Sequence, residues 1–210
     1  MPARPRAGFY TAYGKRAFDI AGSLGLLVFF GPVILLLLGL TALEGGRPLF
    51  GHMRIGRGGK AFPCLKIRSM VTDADVRLRE LLARDPEARA EWDRAFKLEN
   101  DPRITRLGAF LRKTSLDELP QLWNVLRGDM SLVGPRPVPE AELERYGRAS
   151  EVYMTVRPGV TGLWQVSGRN DVSYARRVAM DICYVRRVSL FGDIGILLAT
   201  VGAMVNTTGR

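Results

Sequence analysis

Hydrophobic positions are spread unevenly along this chain, and their densest run lies near the N-terminus. Residues 20–43 carry no charge between Asp19 and Glu44. A straight helix over that run would be about 36 Å long, enough to cross a bilayer. Gly31 and Pro32 fall at its centre, and a proline inside a helix removes a backbone donor and crowds the preceding turn. The run therefore predicts a membrane-embedded helix with a break at these two residues.

Two placements of this apolar run in a membrane remain open on the residues alone. Basic residues lie on both sides of it, so the positive-inside rule gives no orientation. One placement is a hairpin whose two ends return to the cytoplasmic face. The other is a kinked spanning helix, because membrane helices tolerate proline. A cleaved signal peptide is disfavoured, because the run is longer than a signal core and no small-residue cleavage site follows it.

Beyond Glu44 the pattern becomes that of a mixed domain with short strands and several helices. Residues 49–54 and 62–70 predict two strands joined by a glycine-rich turn. Lys66 and Arg68 alternate with apolar residues in the second strand, so they are expected to share one face. Helices are predicted where apolar residues recur at helical spacing, over residues 73–84 with Asp73 as cap, 86–98 with Asp85 as cap, and 105–111.

An acidic pair, Asp117 and Glu118, opens the next predicted helix, over residues 116–126. Ser115 is predicted to cap this helix, which puts Glu118 at the capping-box position and leaves a purely structural role for it open. Asp117 in the first turn would also complement the helix dipole. Asp117, Gln121 and Asn124 recur at helical spacing as a polar stripe. Adjacent acids at a helix start suit phosphate chemistry with a bound cation.

Charge narrows the classes of function that fit. The 210 residues carry a net charge of +10, which suits nucleic acid, an anionic membrane or phosphorylated substrates. No nucleic-acid-binding module is recognisable, which disfavours the first of these. One histidine and two distant cysteines disfavour zinc and disulfides, so any metal is expected to be a hard cation held by oxygen. Cations crowd the acidic pair: Arg103, Arg106, Arg112, Lys113, Arg127 and Arg136.

The C-terminal third combines loops suited to ligands with two helical segments, of which the second, apolar one fits either the membrane surface or the core. The stiff loop at residues 134–137 presents Arg136, a side chain suited to bidentate phosphate contacts. Residues 157–170 are rich in glycine and small polar residues, which fits a ligand loop or ordinary turns equally. A basic helix is predicted over 173–188, followed by an apolar run over 194–205 that is too short to span a bilayer.

Four ordered motifs carry a resemblance to a known family. They are K-I-R-S-M, N-D-P-R-I-T-R-L-G, L-R-K-T-S-L-D-E-L-P-Q-L-W-N-V and G-D-M-S-L-V-G-P-R-P. With them the chain resembles the bacterial sugar transferases, the monotopic phosphoglycosyl transferases, over nearly its whole length, and is most similar to their minimal catalytic form. The resemblance implies a helix-rich α+β fold: residues 1–44 as a re-entrant helix-break-helix, and residues 45–210 as a cytosolic catalytic domain with a small β element and interfacial C-terminal helices.

The resemblance also implies an activity at the cytoplasmic face of the bacterial inner membrane. A sugar-1-phosphate would pass from a UDP-sugar to undecaprenyl phosphate, with Mg²⁺ and a covalent aspartyl intermediate, giving UMP and the polyprenyl-diphospho-sugar that initiates exopolysaccharide or other surface-glycan synthesis. Asp117 would be the nucleophile and Glu118 its partner, both as metal ligands, with Arg112 holding phosphate. Further substrate contacts are assigned to Lys66, Arg68, Gln121 and Arg136. The stretch from Gly168 to Val178 favours galactose or glucose.

A membrane-tethered basic protein without catalysis is the alternative of a different class. It would bind anionic partners or act as a scaffold, and Asp117 and Glu118 would only cap a helix. It predicts that Asp117→Asn leaves function intact. Association into a homo-oligomer is left open by the residues.

Overall fold

A computed structural model describes residues 8–95, 98–167 and 172–205. The end of the helix predicted to reach residue 98 falls in part outside these residues, as does much of the motif favouring galactose or glucose. The described helices are α1 Lys15–Leu43, α2 Ala74–Arg84, α3 Pro86–Ala95, α4 Arg106–Thr114, α5 Gln121–Arg127, α6 Glu140–Leu143, α7 Ala149–Tyr153, α8 Leu163–Val166, α9 Tyr174–Arg186 and α10 Leu190–Val205. The described strands are β1 Leu49–Ile55, β2 Ala61–Ile67, β3 Ser131–Val133 and β4 Gly159–Thr161.

The apolar N-terminal run forms a single helix, α1, that continues through Gly31 and Pro32. The break predicted there is absent from the secondary structure, because a proline removes only one backbone hydrogen bond and both halves of the helix pack on the same domain. With the turn before it, α1 is long and apolar enough to cross a membrane. Its placement as a re-entrant element stays a prediction.

One stripe of α1 is buried against the rest of the chain toward both ends of the helix and is at most half-buried between them. Its members are spaced by helical turns from one end to the other: Asp19, Ser23, Ile34, Leu37 and Thr41. The remaining faces are exposed and strongly apolar, with Val28, Phe29 and Leu35 each more than two-thirds accessible. The helix therefore lies along the domain instead of projecting away from it.

Polar contacts fasten both ends of α1 to the domain. Near its start, Lys15 Nζ lies 2.8 Å from Oδ2 of the fully buried Asp193 on α10. Arg16 donates to two carbonyls at the C-terminal end of α5, at 2.6 and 2.7 Å. At the other end, Arg68 donates to the carbonyl of Thr41 at 2.9 Å. These contacts place the start and the end of α1 on the same body.

The strands form two separate two-stranded sheets. β1 and β2 form the predicted antiparallel hairpin, although β2 ends at Ile67, three residues earlier than predicted. β3 and β4 pair in parallel, and there Gly134 faces Gly159 so closely that a side chain on either would overlap the other's backbone. The main core lies between the β1–β2 hairpin, α5, β3 and α9, and its fully buried members include Val125, Met130, Val133 and Val185.

Most predicted helices are confirmed, and one of the two aspartate caps predicted for α2 and α3 is wrong. The Asp85 carboxylate accepts from the backbone N–H groups of Glu87 and Ala88 at the start of α3, as predicted. Asp73 was predicted to cap α2, but it makes no such bond. Its carboxylate instead forms an exposed ion pair with Arg77, one turn along, at 3.0 Å.

Candidate active site

The acidic pair lies in a short 3₁₀ turn, Leu116–Glu118, between α4 and α5. Ser115 has left-handed backbone geometry, with φ 58°, and its N–H bonds back to α4, so it ends that helix and does not cap the next one. The predicted capping box is therefore wrong. Pro120 precedes α5, and its fixed φ suits a helix start. The side chain of Glu118 is thus available for a contact outside its own helix.

Lys66 of β2 reaches both carboxylates of the pair. Its Nζ lies 2.6 Å from Glu118 Oε1 and 3.6 Å from Asp117 Oδ2. The Asp117 side chain is only 9% exposed, whereas those of Lys66 and Glu118 are 32% and 36% exposed. Lys66, a predicted site residue, therefore contacts both acids. Its short contact is with Glu118, and Asp117 lies near the ammonium without a short hydrogen bond to it.

The protonation of the pair is set by opposing effects. Burial raises the pKa of Asp117, Lys66 opposes that rise, Glu118 adds to it, and Arg112 again lowers it. Burial lowers the pKa of Lys66, but Glu118 and Asp117 outweigh this effect and hold it above its ordinary value. Lys66 is therefore positively charged at neutral pH. Asp117 is a more basic carboxylate than usual, and the neighbouring cations Lys66 and Arg112 favour its ionised form.

Arg112 stands at the edge of this group, on the last turn of α4. Its Nε donates to Ser69 Oγ at 2.8 Å and its side chain is exposed. The close approach that permits this contact depends on Gly108, where a Cβ would overlap the carbonyl of Ser69. Arg112 therefore presents a guanidinium to solvent close enough to Asp117 to lower its pKa, and its role in holding phosphate stays a prediction.

The predicted polar stripe on α5 divides into different roles. Asn124 is fully buried, accepts from the N–H of Leu65 at 2.9 Å and donates to the carbonyl of Pro63 at 2.9 Å, so it fastens α5 to β2. Gln121 is 2% exposed and is not presented to solvent in this state. Arg68 was expected to share a face with Lys66. Because β2 ends at Ile67, its guanidinium instead turns to the end of α1, away from the acidic pair.

Arg136 is the exposed residue of a largely buried loop, and its guanidinium lies 5.5 Å from the centre of the Trp164 ring. Burial lowers the pKa of Arg54, and the nearby Arg136 lowers it further. The strand register places Arg54, His52 and Lys66 on one face of the hairpin, because residues directly opposite each other point to the same side. A strip of basic side chains therefore leads from Lys66 to Arg136.

Sequence reasoning missed His52 and Arg54 as members of this strip. The signal that could have found them is the alternation of Phe50, His52 and Arg54 along β1, which puts two basic side chains on one face. Burial lowers the pKa of His52, and Arg54 and Lys66 lower it further. His52 is accordingly neutral at pH 7 and able to donate or accept a hydrogen bond.

Whether the side chains at the acidic pair could bind Mg²⁺ depends on how many oxygen ligands they provide. Among the described residues, no cluster of three or more His, Cys, Asp or Glu side chains could hold a metal. Two adjacent carboxylates, Asp117 and Glu118, are a sufficient protein contribution for Mg²⁺, because this ion keeps several waters and binds diphosphate oxygens as further ligands. The residues present therefore fit a Mg²⁺ ion that arrives with a diphosphate substrate.

Comparison with known proteins agrees with the geometry. The sequence model of the family described as bacterial sugar transferase matches residues 10–207. Similar proteins are the UDP-galactose-lipid carrier transferase of Erwinia amylovora, 57% identical, and the undecaprenyl-phosphate galactose phosphotransferase of Salmonella typhimurium, 54% identical. Each match covers 93% of this chain and 41% of the relative. The exopolysaccharide production protein ExoY of Rhizobium meliloti is 51% identical, over 93% of this chain and 87% of its own length. The chain belongs to the bacterial sugar transferase family.

Proposed function

We propose that this chain moves a sugar-1-phosphate from a UDP-sugar to undecaprenyl phosphate, with release of UMP and formation of the polyprenyl-diphospho-sugar. The observation that carries this proposal is the buried Asp117 carboxylate beside Lys66 and Glu118, in a chain of this family. The names of two similar proteins support the same reaction, since one refers to UDP-galactose with a lipid carrier and the other to undecaprenyl phosphate and galactose.

The reaction is proposed to run as two displacements at one phosphorus. An oxygen of Asp117 attacks the phosphorus that bears the sugar, the bond from that phosphorus to the bridging oxygen breaks, and UMP leaves with both bonding electrons. An oxygen of undecaprenyl phosphate then attacks the same phosphorus, and the bond to Asp117 breaks to restore the free carboxylate. A raised pKa favours Asp117 as a nucleophile, because a more basic carboxylate donates its electrons more readily.

The reacting groups are all anions and repel one another. The surrounding cations reduce this repulsion. Lys66 holds Glu118 and offsets part of the negative charge next to Asp117. Arg112 is placed to receive phosphate oxygens, and the strip through Arg54 to Arg136 offers a path for the rest of the nucleotide. Mg²⁺ held by Asp117 and Glu118 would supply further neutralisation of diphosphate charge when bound.

We also propose that α1 enters only the cytoplasmic leaflet of the inner membrane and is re-entrant, with a bend at Pro32 inside the continuous helix. A spanning helix must leave its domain, whereas α1 packs along one stripe from Asp19 to Thr41 and is fastened at both ends. Its exposed apolar faces then meet lipid while the packed stripe stays on protein. This placement brings the acidic pair close to the level of a lipid phosphate.

Transfer to lipid tests the proposed function. Purified protein in detergent with Mg²⁺ and undecaprenyl phosphate would be given UDP-galactose or UDP-glucose labelled in the sugar. We expect organic-soluble label and equimolar UMP with one of these donors, and neither with Asp117→Asn. If the variant transfers label as well as the wild type, the chain acts through other residues or serves as a noncatalytic tethered protein.

A further inference from the structure

A second concave site lies at the far end of α5 from Asp117. Its cavity has a volume of about 620 Å³ and is walled by the N-terminal end of α1, the turn between β1 and β2, and the segment before β4. Three arginines line it: Arg16, Arg57 and Arg157. The acidic pair does not line this cavity, so the proposed transferase reaction does not account for it.

The three arginines form a cluster of like charges. Arg16 donates to carbonyls at the end of α5, and Arg157 donates from Nε to the carbonyl of Gly128 at 2.7 Å. Burial lowers the pKa of Arg157, and Arg16 and Arg57 lower it further. Within the described part of the chain, none of the three forms an ion pair with a carboxylate. A bound anion would supply the missing countercharge.

Among the described residues that line the cavity, Asp19 is the one carboxylate, and it already has hydrogen-bond partners. Asp19 is 1% exposed, and its Oδ1 accepts from the hydroxyl of Ser131 at 2.9 Å and from the N–H of Leu132 at 3.0 Å. It also lies 3.9 Å from Lys15 Nζ. Asp19 therefore stabilises the packing of α1 on β3. It raises the pKa of Arg157 slightly through its charge, but among the described residues it forms no ion pair with any of the three arginines.

The surroundings of the cavity point to a lipid as the source of that anion. Val188 lines this cavity and also a smaller neighbouring hollow formed with Arg186 and Arg187, so the basic surface continues beyond the cavity. Phe9 and Phe191, next to these walls in the chain, are each more than four-fifths exposed. The exposed apolar face of α1 begins one turn after Arg16. Cations just outside an apolar face lie where phosphates of lipid headgroups are found.

We propose that this cavity binds the phosphate headgroup of an anionic membrane lipid that takes no part in the reaction. Arginine pairs with phosphate through two parallel hydrogen bonds, and several arginines together favour an anionic over a zwitterionic headgroup. Because Arg16 and Arg157 also hold the carbonyls that end α5, a bound headgroup would stabilise the helix that follows Asp117. The lipid thus acts as a structural ligand that couples membrane composition to the stability of the active-site helix.

Binding of a short-chain lipid to the full chain tests this proposal. Purified protein in a neutral detergent would be titrated with dioctanoyl phosphatidylglycerol while its thermal unfolding temperature is recorded. We expect a saturable rise, and an apparent affinity that falls about tenfold or more in Arg57→Glu, because this change removes a positive charge from the cavity wall and puts a negative charge there. Arg57 makes no side-chain hydrogen bond or ion pair within the described residues, so this variant is expected to fold.

Lys60→Glu is the matched control, because Lys60 is an exposed cation at the end of the same turn and does not line the cavity. Its lipid affinity should stay within about twofold of the wild type. An equal loss in both variants would show general surface attraction and overturn the proposal, as would the absence of saturation. If inorganic phosphate binds as tightly as the lipid and competes with it, the cavity is a free-anion site and the lipid assignment is wrong. None of these readouts needs turnover, so their failure is separate from failure of the transferase proposal.

Discussion

The ammonium of Lys66 lies 2.6 Å from Glu118 and 1 Å farther, at 3.6 Å, from Asp117. Lys66 therefore pairs with the more exposed acid, Glu118. The buried acid, Asp117, lies near the same ammonium without a short hydrogen bond to it. This division fits the roles proposed for the two carboxylates: Glu118 holds the lysine, and Asp117 is the proposed nucleophile. The predictions below follow from this arrangement and from the way the rest of the fold supports it.

Removing charge on either side of Asp117 should move the pH dependence of UMP release in opposite directions. Activity needs ionised Asp117 and is lost as the pH falls through its pKa. Lys66 lowers that pKa, so Lys66→Met should shift the acidic limb to higher pH; Glu118 raises it, so Glu118→Gln should shift the limb to lower pH. We expect each variant to be slower at pH 7 by on the order of 10–100-fold. Shifts in the same direction would contradict the assigned roles.

Asn124 should matter for stability and not for chemistry. Asn124→Ala leaves the buried N–H of Leu65 and the carbonyl of Pro63 without their partner, at a cost of about 2–4 kcal/mol in the free energy of unfolding. Arg127→Ala, on the exposed side of the same helix, should change it by less than about 0.5 kcal/mol. Denaturant unfolding in detergent measures both. An Asn124→Ala protein as stable as the wild type would show that the bridge between α5 and β2 is unimportant.

Some features of the fold and of the candidate site could be predicted from the sequence, and others could not. Periodicity predicted α2, α3, α4 and α9, because helical spacing is a local signal. The family resemblance put Asp117 and Lys66 in one site, which stays a prediction, and the structure places their side chains 3.6 Å apart. The cap at Ser115 and the position of Arg68 were mispredicted because backbone geometry at chain reversals depends on packing. The register of the hairpin places His52 and Arg54 on the same face as Lys66, whose direct partner is Phe50. Alternation along β1 groups His52 with Arg54, but their position relative to Lys66 is fixed only when the two strands pair, so it cannot be predicted from either segment alone.

Asp181 should make the stability of the fold fall as the pH rises. Burial raises its pKa from 3.8 to about 7, although Tyr146 and the Arg136 backbone donate hydrogen bonds to it. The folded chain thus holds this proton more tightly than the unfolded chain does. Stability from this group is complete below its unfolded pKa and is lost toward pH 7, by up to about 1.4 kcal/mol per pH unit.

Asp181→Asn should remove that slope between pH 4 and 7, as measured by thermal unfolding in detergent. The exposed Asp75→Asn is the control and should keep it. An unchanged slope in Asp181→Asn would mean that this carboxyl is ionised throughout the range.

Labelling from each side of the membrane should show both ends of α1 on the cytoplasmic face. Cysteines would replace Tyr13 and Glu44, one at a time, in a Cys183→Ser background. Burial raises the pKa of Cys64 to about 11, so this thiol should not react and can stay. An impermeant maleimide should label both positions in inverted vesicles and neither in spheroplasts. A cysteine in place of Arg84 on α2, in the domain proposed to be cytosolic, is the reference and should show the same pattern. Labelling of one end in spheroplasts would establish a spanning helix.

The central claim is that Asp117 carries the phosphosugar, and intact-protein mass spectrometry without lipid acceptor tests it most directly. Protein incubated with Mg²⁺ and UDP-galactose, or with UDP-glucose in parallel, should release about one UMP per chain and gain one hexose phosphate. Peptide mapping should place the adduct on Asp117, addition of undecaprenyl phosphate should remove it, and Asp117→Asn should show neither burst nor adduct. Release of UMP only when acceptor is present, with no adduct at any time, would instead establish direct transfer and contradict the covalent mechanism.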